Sequence, residues 1–162
     1  MRIRTGTLTV LLALVVGSAG LQAQESIEGA WEIVQVWGET AAGDAWSYGD
    51  AIQPSVFIFL DGYYSFTAVN APEARPLPPE GVARPDLPLE YGEAVWRTYL
   101  SNSGTYEVDG ETLVTHPTVA LWPPFMAEDS RPVYEMEWDG EDLLITTRAG
   151  EAWRVWRLER LP

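Results

Sequence analysis

The chain has no cysteine and no lysine, and it carries a single histidine, His116. Each absence removes a class of chemistry. Without cysteine there is no disulfide framework, thiolate zinc site, iron–sulfur cluster, cysteine nucleophile or lipid-bearing thiol. One imidazole does not make a three-ligand zinc site unless carboxylates complete it. Cations are few: ten, all Arg, against 24 Asp and Glu, for a formal charge of −14 over 162 residues. That balance excludes nucleic acid as a partner, because phosphates need a basic face, and it opposes docking on anionic lipid. It reads as a solvated acidic shell that favours solubility and a monomer or small oligomer. Also missing are a Gly-rich phosphate loop, a Gly-x-Ser-x-Gly elbow and a His-Glu-x-x-His helix. No cofactor and no metal are therefore expected. No apolar run reaches the roughly 20 residues of a membrane-spanning helix.

What is present begins with an address. Met1-Arg2-Ile3-Arg4 is basic, Thr7 to Val16 is an almost unbroken apolar run, and small residues follow through Gly20 to Ala23. This order is that of a secretory signal peptide. We place its end at Ala23, so that residues 24–162 form one exported domain, secreted or periplasmic. Losing Arg2 and Arg4 makes that domain two charges more acidic than the whole chain.

The remaining sequence is punctuated by Asp-Gly at 61–62, 109–110 and 139–140, each between runs of β-branched and aromatic residues. Asp-Gly suits a type I′ hairpin turn. Ala149-Gly150-Glu151 makes a fourth turn. Eight strands follow from this: 30–37, 55–60, 63–69, 105–108, 112–119, 131–138, 143–148 and 152–161. Most alternate, giving one buried face each. Tyr64, Phe66 and Ala68 share a face, as do Tyr134, Met136 and Trp138, and Trp31, Ile33 and Trp37. Val56 to Leu60 does not alternate and is expected to be covered on both sides. Residues 71–90 hold six prolines and predict an extended loop. The spacing of Tyr91, Val95 and Tyr99 predicts one helix over 89–100.

Eight sequential antiparallel strands close most simply into an up-and-down barrel. The fold class expected is thus all-β, with one α-helix. In that barrel the first strand lies beside the last, so Arg157 or Arg160 can stack on Trp31 as a structural floor.

Here the residues resemble a family. Gly29-Ala30-Trp31 is similar to the Gly-x-Trp signature that opens the first lipocalin strand. Gly104-Thr105-Tyr106-Glu107-Val108-Asp109-Gly110, then Val114-Thr115-His116, then Glu159-Arg160 resemble, in order, the pattern of bacterial and fungal lipocalin-like domain proteins. The resemblance spans residues 24–162 and implies a calycin-type barrel with a ligand-binding habit. Three departures matter. Pro117 stands where the family commonly has a second His, so a paired imidazole site is lost. Leu158 stands where a Trp is common. The Thr-Asp-Tyr motif of outer lipocalins is absent.

The candidate site residues are mostly aromatic. Tyr64, Phe66, Tyr106, Tyr134 and Trp138 point inward on this alternation, with Trp37, Trp122 and Trp156 as further candidates. They fit either a filled core or a cup for a small hydrophobic or aromatic molecule. His116 fits a polar group near that cup or an acid–base group. No other catalytic residue is proposed. The leading expectation is non-catalytic binding. The alternatives are an isomerase, cyclase or hydrolase using His116, and an accessory protein with a filled barrel. Glu135 and Glu137 face away from Tyr134 and Trp138 and read as surface charge. The proline loop, the helix and the Leu121–Met126 stretch are expected to act as lid or plug.

Overall fold

The computed structural model describes residues 26–49 and 52–162. The leader expected over residues 1–23 lies outside the described residues. Nine strands follow one another: β1 (Gly29–Glu39), β2 (Ala45–Ser47), β3 (Val56–Leu60), β4 (Tyr63–Val69), β5 (Tyr99–Asp109), β6 (Thr112–Ala120), β7 (Val133–Asp139), β8 (Asp142–Ala149) and β9 (Ala152–Arg160). One helix, α1 (Leu89–Arg97), interrupts them between β4 and β5. β1 pairs with β3, each strand from β3 to β9 pairs antiparallel with the next, and β1 also pairs with β9, closing an eight-stranded up-and-down barrel. The three-residue β2, not expected from the sequence, adds to the end of β1 outside that ring. Closure leaves the barrel strands no free edge.

The four tight turns differ in kind. Asp61 and Gly62 both have positive φ, as type I′ requires. The other three loops are Gly110-Glu111, Gly140-Glu141 and Gly150-Glu151, between the paired residues Asp109/Thr112, Asp139/Asp142 and Ala149/Ala152. Only the glycine has positive φ in each. That is the type II′ pattern, with glycine first. The expected Asp-Gly centres at 109–110 and 139–140 are therefore displaced by one residue, and the preceding aspartates end strands.

The two ends of the barrel are unlike. The Asp61-Gly62, Gly110-Glu111 and Gly140-Glu141 turns gather at one end, the base, with the start of β1 and the end of β9. Long connections gather at the other, the mouth. The lower half is filled: Trp31, Ile33, Phe59, Leu113, Leu143, Ile145 and Leu158 are essentially inaccessible. At the base the Arg160 guanidinium lies 4.1 Å above the Trp31 ring, and Trp138 packs on the same ring at 5.9 Å. The Trp31 indole N–H donates to the Ile27 carbonyl at 2.8 Å. Gly29 is favoured here because its φ of +134° is one that L side chains rarely adopt, and a Cβ on it would also push the end of the Arg160 side chain, 2.6 Å away at Nη1. This explains physically why a glycine stands two residues before the tryptophan. Arg157, the other candidate for the stack, lies outside the barrel, clamped by Asp139 and Asp142.

Several expectations are corrected. β3 does alternate: Phe57 and Phe59 are buried, while Ile58 and Leu60 are exposed. The helix ends at Arg97, and Tyr99 and Leu100 open β5 instead. None of its residues is buried, so it does not plug the barrel. Glu135 and Glu137 are exposed as expected.

Candidate functional site

The filled layers stop below the mouth. Above them lies a cavity of about 200 Å³ lined by Phe66, Leu100, Ser101, Asn102, Leu121, Trp122, Phe125, Pro132, Tyr134, Thr147, Arg154 and Trp156. Alternation brings most of these inward: Phe66 from β4, Asn102 from β5, Tyr134 from β7, and Arg154 and Trp156 from β9. A 3-10 turn at Pro123–Met126 carries Phe125 to the rim beside Trp122, which is 60% exposed. Thus the Leu121–Met126 stretch does edge the opening, whereas residues 71–98 contribute no lining residue.

A polar layer lies beneath the apolar lining. The buried Tyr64 hydroxyl donates to Asn102 Oδ1 at 2.6 Å. The Tyr64 and Tyr134 phenols also face the Thr115 hydroxyl. Burial, the main cause, pushes both phenols well above the usual tyrosine range. They are neutral donors at any physiological pH. Tyr64 orients Asn102 by occupying its oxygen, which leaves the amide NH₂ as a donor.

Arg154 is the unusual group. Its guanidinium lies 5.3 Å from the centre of the Trp46 ring and 5.5 Å from that of Trp156. Gly38 leaves room here for both the β9 backbone and the Trp46 indole, since a Cβ on it would stand 2.3 Å from the Trp153 carbonyl oxygen and 3.0 Å from the indole. Among the described residues no carboxylate lies within ion-pair distance of Arg154, and its Nε–H, shielded from solvent, has no acceptor. Desolvation draws its pKa down. Each cation–π contact is worth about 0.5–2 kcal/mol. An unpartnered buried donor costs about 1–3 kcal/mol, and more when charged. The two terms nearly offset, so the ring contacts do not make Arg154 a net contributor to stability.

The sequence-derived candidates separate into three groups. Phe66, Tyr134 and Trp122 line the cavity, together with Trp156. Tyr64 lies one layer below and holds Asn102. Tyr106 and Trp138 belong to the sealed base. Tyr106 packs edge-on against Phe59 and donates to Glu28 Oε1 at 2.6 Å, and its phenol too is pushed up by burial and then by Glu28.

Trp37 and His116 are corrections. A bulge between Ile33 and Gln35 places Val36 and Gly38 inside, so Trp37 turns outward to a shallow groove with Trp153 and Arg157. His116 is between the inward-facing Thr115 and Pro117, on the outer wall, 3.8 Å from the exposed Glu107 carboxylate. The cavity therefore holds no imidazole, and acid–base chemistry by His116 inside it is ruled out. Arg154 and Asn102 were missed. Arg154 shares the phase of Trp156 and Leu158, a readable signal. Asn102 was hidden because the sequence pattern ran the helix to residue 100.

Among the described residues, no group of three His, Asp or Glu side chains converges as a metal site. No helix there is long and apolar enough to cross a membrane.

A closed eight-stranded meander, sealed at the end where β1 starts and open at the other, defines a lipocalin-like barrel. Similar solved structures include a lipocalin-like protein from Bacteroides uniformis, with 10% identity over 83% of this chain and 97% of that one, at a TM-score of 0.43. A protein from Bacteroides eggerthii is similar at 9% identity over 80% and 97% of the two chains, with a TM-score of 0.41. No family model and no curated protein matches the sequence.

Proposed function

We propose that this is an exported lipocalin-like barrel that binds one small hydrophobic or aromatic molecule at its mouth, without catalysis. The observation that carries the reading is the cavity itself: an apolar cup of about 200 Å³ edged by Trp122 and Phe125 and set over a fully packed base. Pockets for drug-sized ligands run to about 300–1,000 Å³, which makes the fitting ligand compact. Asn102, held by the Tyr64 hydroxyl beneath it, and Thr147 are among the few polar groups that orient a ligand in such a cup. Export is supported by the basic, apolar and small-residue order of residues 1–23. N-terminal sequencing of protein recovered outside the cytoplasm tests it, with a new start near residue 24 expected. Native mass spectrometry of the purified mature protein tests binding: a retained small molecule is expected. Apolar probes should also quench tryptophan fluorescence, and a flat titration with no retained molecule would overturn the reading.

A further inference from the structure

We propose that the molecule bound at the mouth is an anion, a compact carboxylate whose apolar body lies against Phe66, Leu100 and Tyr134 and whose charge is held by Arg154. This inference rests on the binding reading above and names its ligand class.

Three observations support it. First, the chain is strongly acidic, yet among the described residues no acidic side chain lines the cavity, while one arginine does. In a chain this acidic, a lining with a positive charge and no negative one repels cations and admits anions. Second, the other arginines of the described barrel strands are partnered. Arg148 pairs with Glu135, Arg157 with Asp139 and Asp142, and Arg160 donates to backbone carbonyls of Ser26 and Glu28. Arg154 alone among them has rings for neighbours and no acceptor. Third, four shielded side-chain polar atoms lack a partner among the described residues, and two of them, Arg154 Nε and Trp156 Nε1, belong to adjacent lining side chains. Both are donors. The Asn102 amide, oriented by Tyr64, adds a third donor to the same lining. A cup furnished with donors and one cation, and with no acid, is complementary to a carboxylate. The flanking Trp46 and Trp156 rings keep the guanidinium in place, so little freedom is lost when the anion arrives.

The test uses the mature protein and a matched pair of probes, 3-phenylpropionate and 3-phenylpropan-1-ol, titrated by calorimetry. The acid is expected to bind about 10- to 100-fold more tightly than the alcohol, the range of a charge-assisted hydrogen bond. In Arg154→Met the two affinities should converge, and Arg154→Lys should restore part of the gap. Binding of the alcohol with no preference for the acid would overturn the anion inference and leave the binding reading standing. So would a preference that survives Arg154→Met. Binding of neither probe would overturn both. If Arg154→Met fails to fold, the comparison of acid with alcohol in the unaltered protein still decides.

Discussion

Two arginines on one strand show how differently the same side chain is used at the two ends of the barrel. Arg160 and Arg154 both sit on the inward phase of β9, and each stacks on tryptophan. Arg160 also donates to the carbonyls of Glu28 and Ser26, tying the start of the domain to the last strand. Arg154 lies over rings, and its Nε–H has no acceptor among the described residues. At the base the Trp31 indole, the Tyr106 hydroxyl and the Arg160 guanidinium all donate within the chain. At the mouth donors are left over, and the packing stops short of filling the space. The difference teaches that the aromatic content serves two ends: Trp31, Trp138 and Tyr106 close one, while Trp122, Tyr134 and Trp156 line the other.

The largest break in that comparison comes at the base. Trp31 is wholly inaccessible and touches Trp138, Arg160 and the Ile27 carbonyl. Trp31→Ala should cost about 3–5 kcal/mol, lowering the melting temperature by on the order of 10 °C or more. Thermal unfolding followed by circular dichroism checks it, and an unchanged midpoint would remove Trp31 as the floor of the barrel.

The arginine pair gives the next effect and the sharpest contrast. Arg160→Met removes a partly solvated charge-assisted contact and a ring stack, together about 1–2 kcal/mol. Arg154→Met removes an unpartnered shielded charge, so stability should stay level or rise. The opposite order of midpoints would mean that Arg154 is a structural group and the mouth merely an imperfect core.

Alkaline titration probes both ends together. The phenols of Tyr64 and Tyr134 beneath the mouth and of Tyr106 at the base are all raised above the ordinary tyrosine value of 10.0. The folded state therefore holds protons that the unfolded chain releases above about pH 10, and stability falls as pH climbs from there. The midpoint should be flat from neutrality to about pH 9.5 and then decline, and replacing both Tyr64 and Tyr134 by Phe should make the decline shallower while Tyr106 keeps its share.

How far this was readable in the sequence follows from period and turn chemistry. The alternation of Tyr64-Phe66-Ala68 and Tyr134-Met136-Trp138 fixes their faces, because a two-residue repeat admits one buried side. Strand order is legible because four tight turns permit only neighbours to pair. The stack on Trp31 was anticipated from barrel closure, and Arg160 supplies it. What failed was non-periodic. The β1 bulge shifts the phase between Ile33 and Gln35, so a strict repeat sends Trp37 to the wrong side. His116 was drawn toward the cavity by its chemistry although its phase, opposite to Thr115, pointed out. Arg154 shares the inward phase of Trp156 and Leu158, but a charged residue carries no apolar signal for the alternation to pick out.

The smallest effect tests that outer-wall assignment. His116 makes no hydrogen bond through Nε2, and its nearest carboxylate, on Glu107, is exposed at 3.8 Å. A contact at this distance to a carboxylate in solvent contributes little, and the imidazole is on the face of β6 opposite the inward-facing Thr115 and Pro117. His116→Ala should leave the thermal midpoint within about 2 °C, as surface substitutions do. It should also leave the affinity for 3-phenylpropionate within about twofold, since sites that share no partner are energetically independent. A tenfold loss of affinity would instead show that the wall and the cup move together. Transmission would then run through the Gly104 bulge, where a Cβ would meet the His116 carbonyl at 2.0 Å and backbone packing leaves no slack.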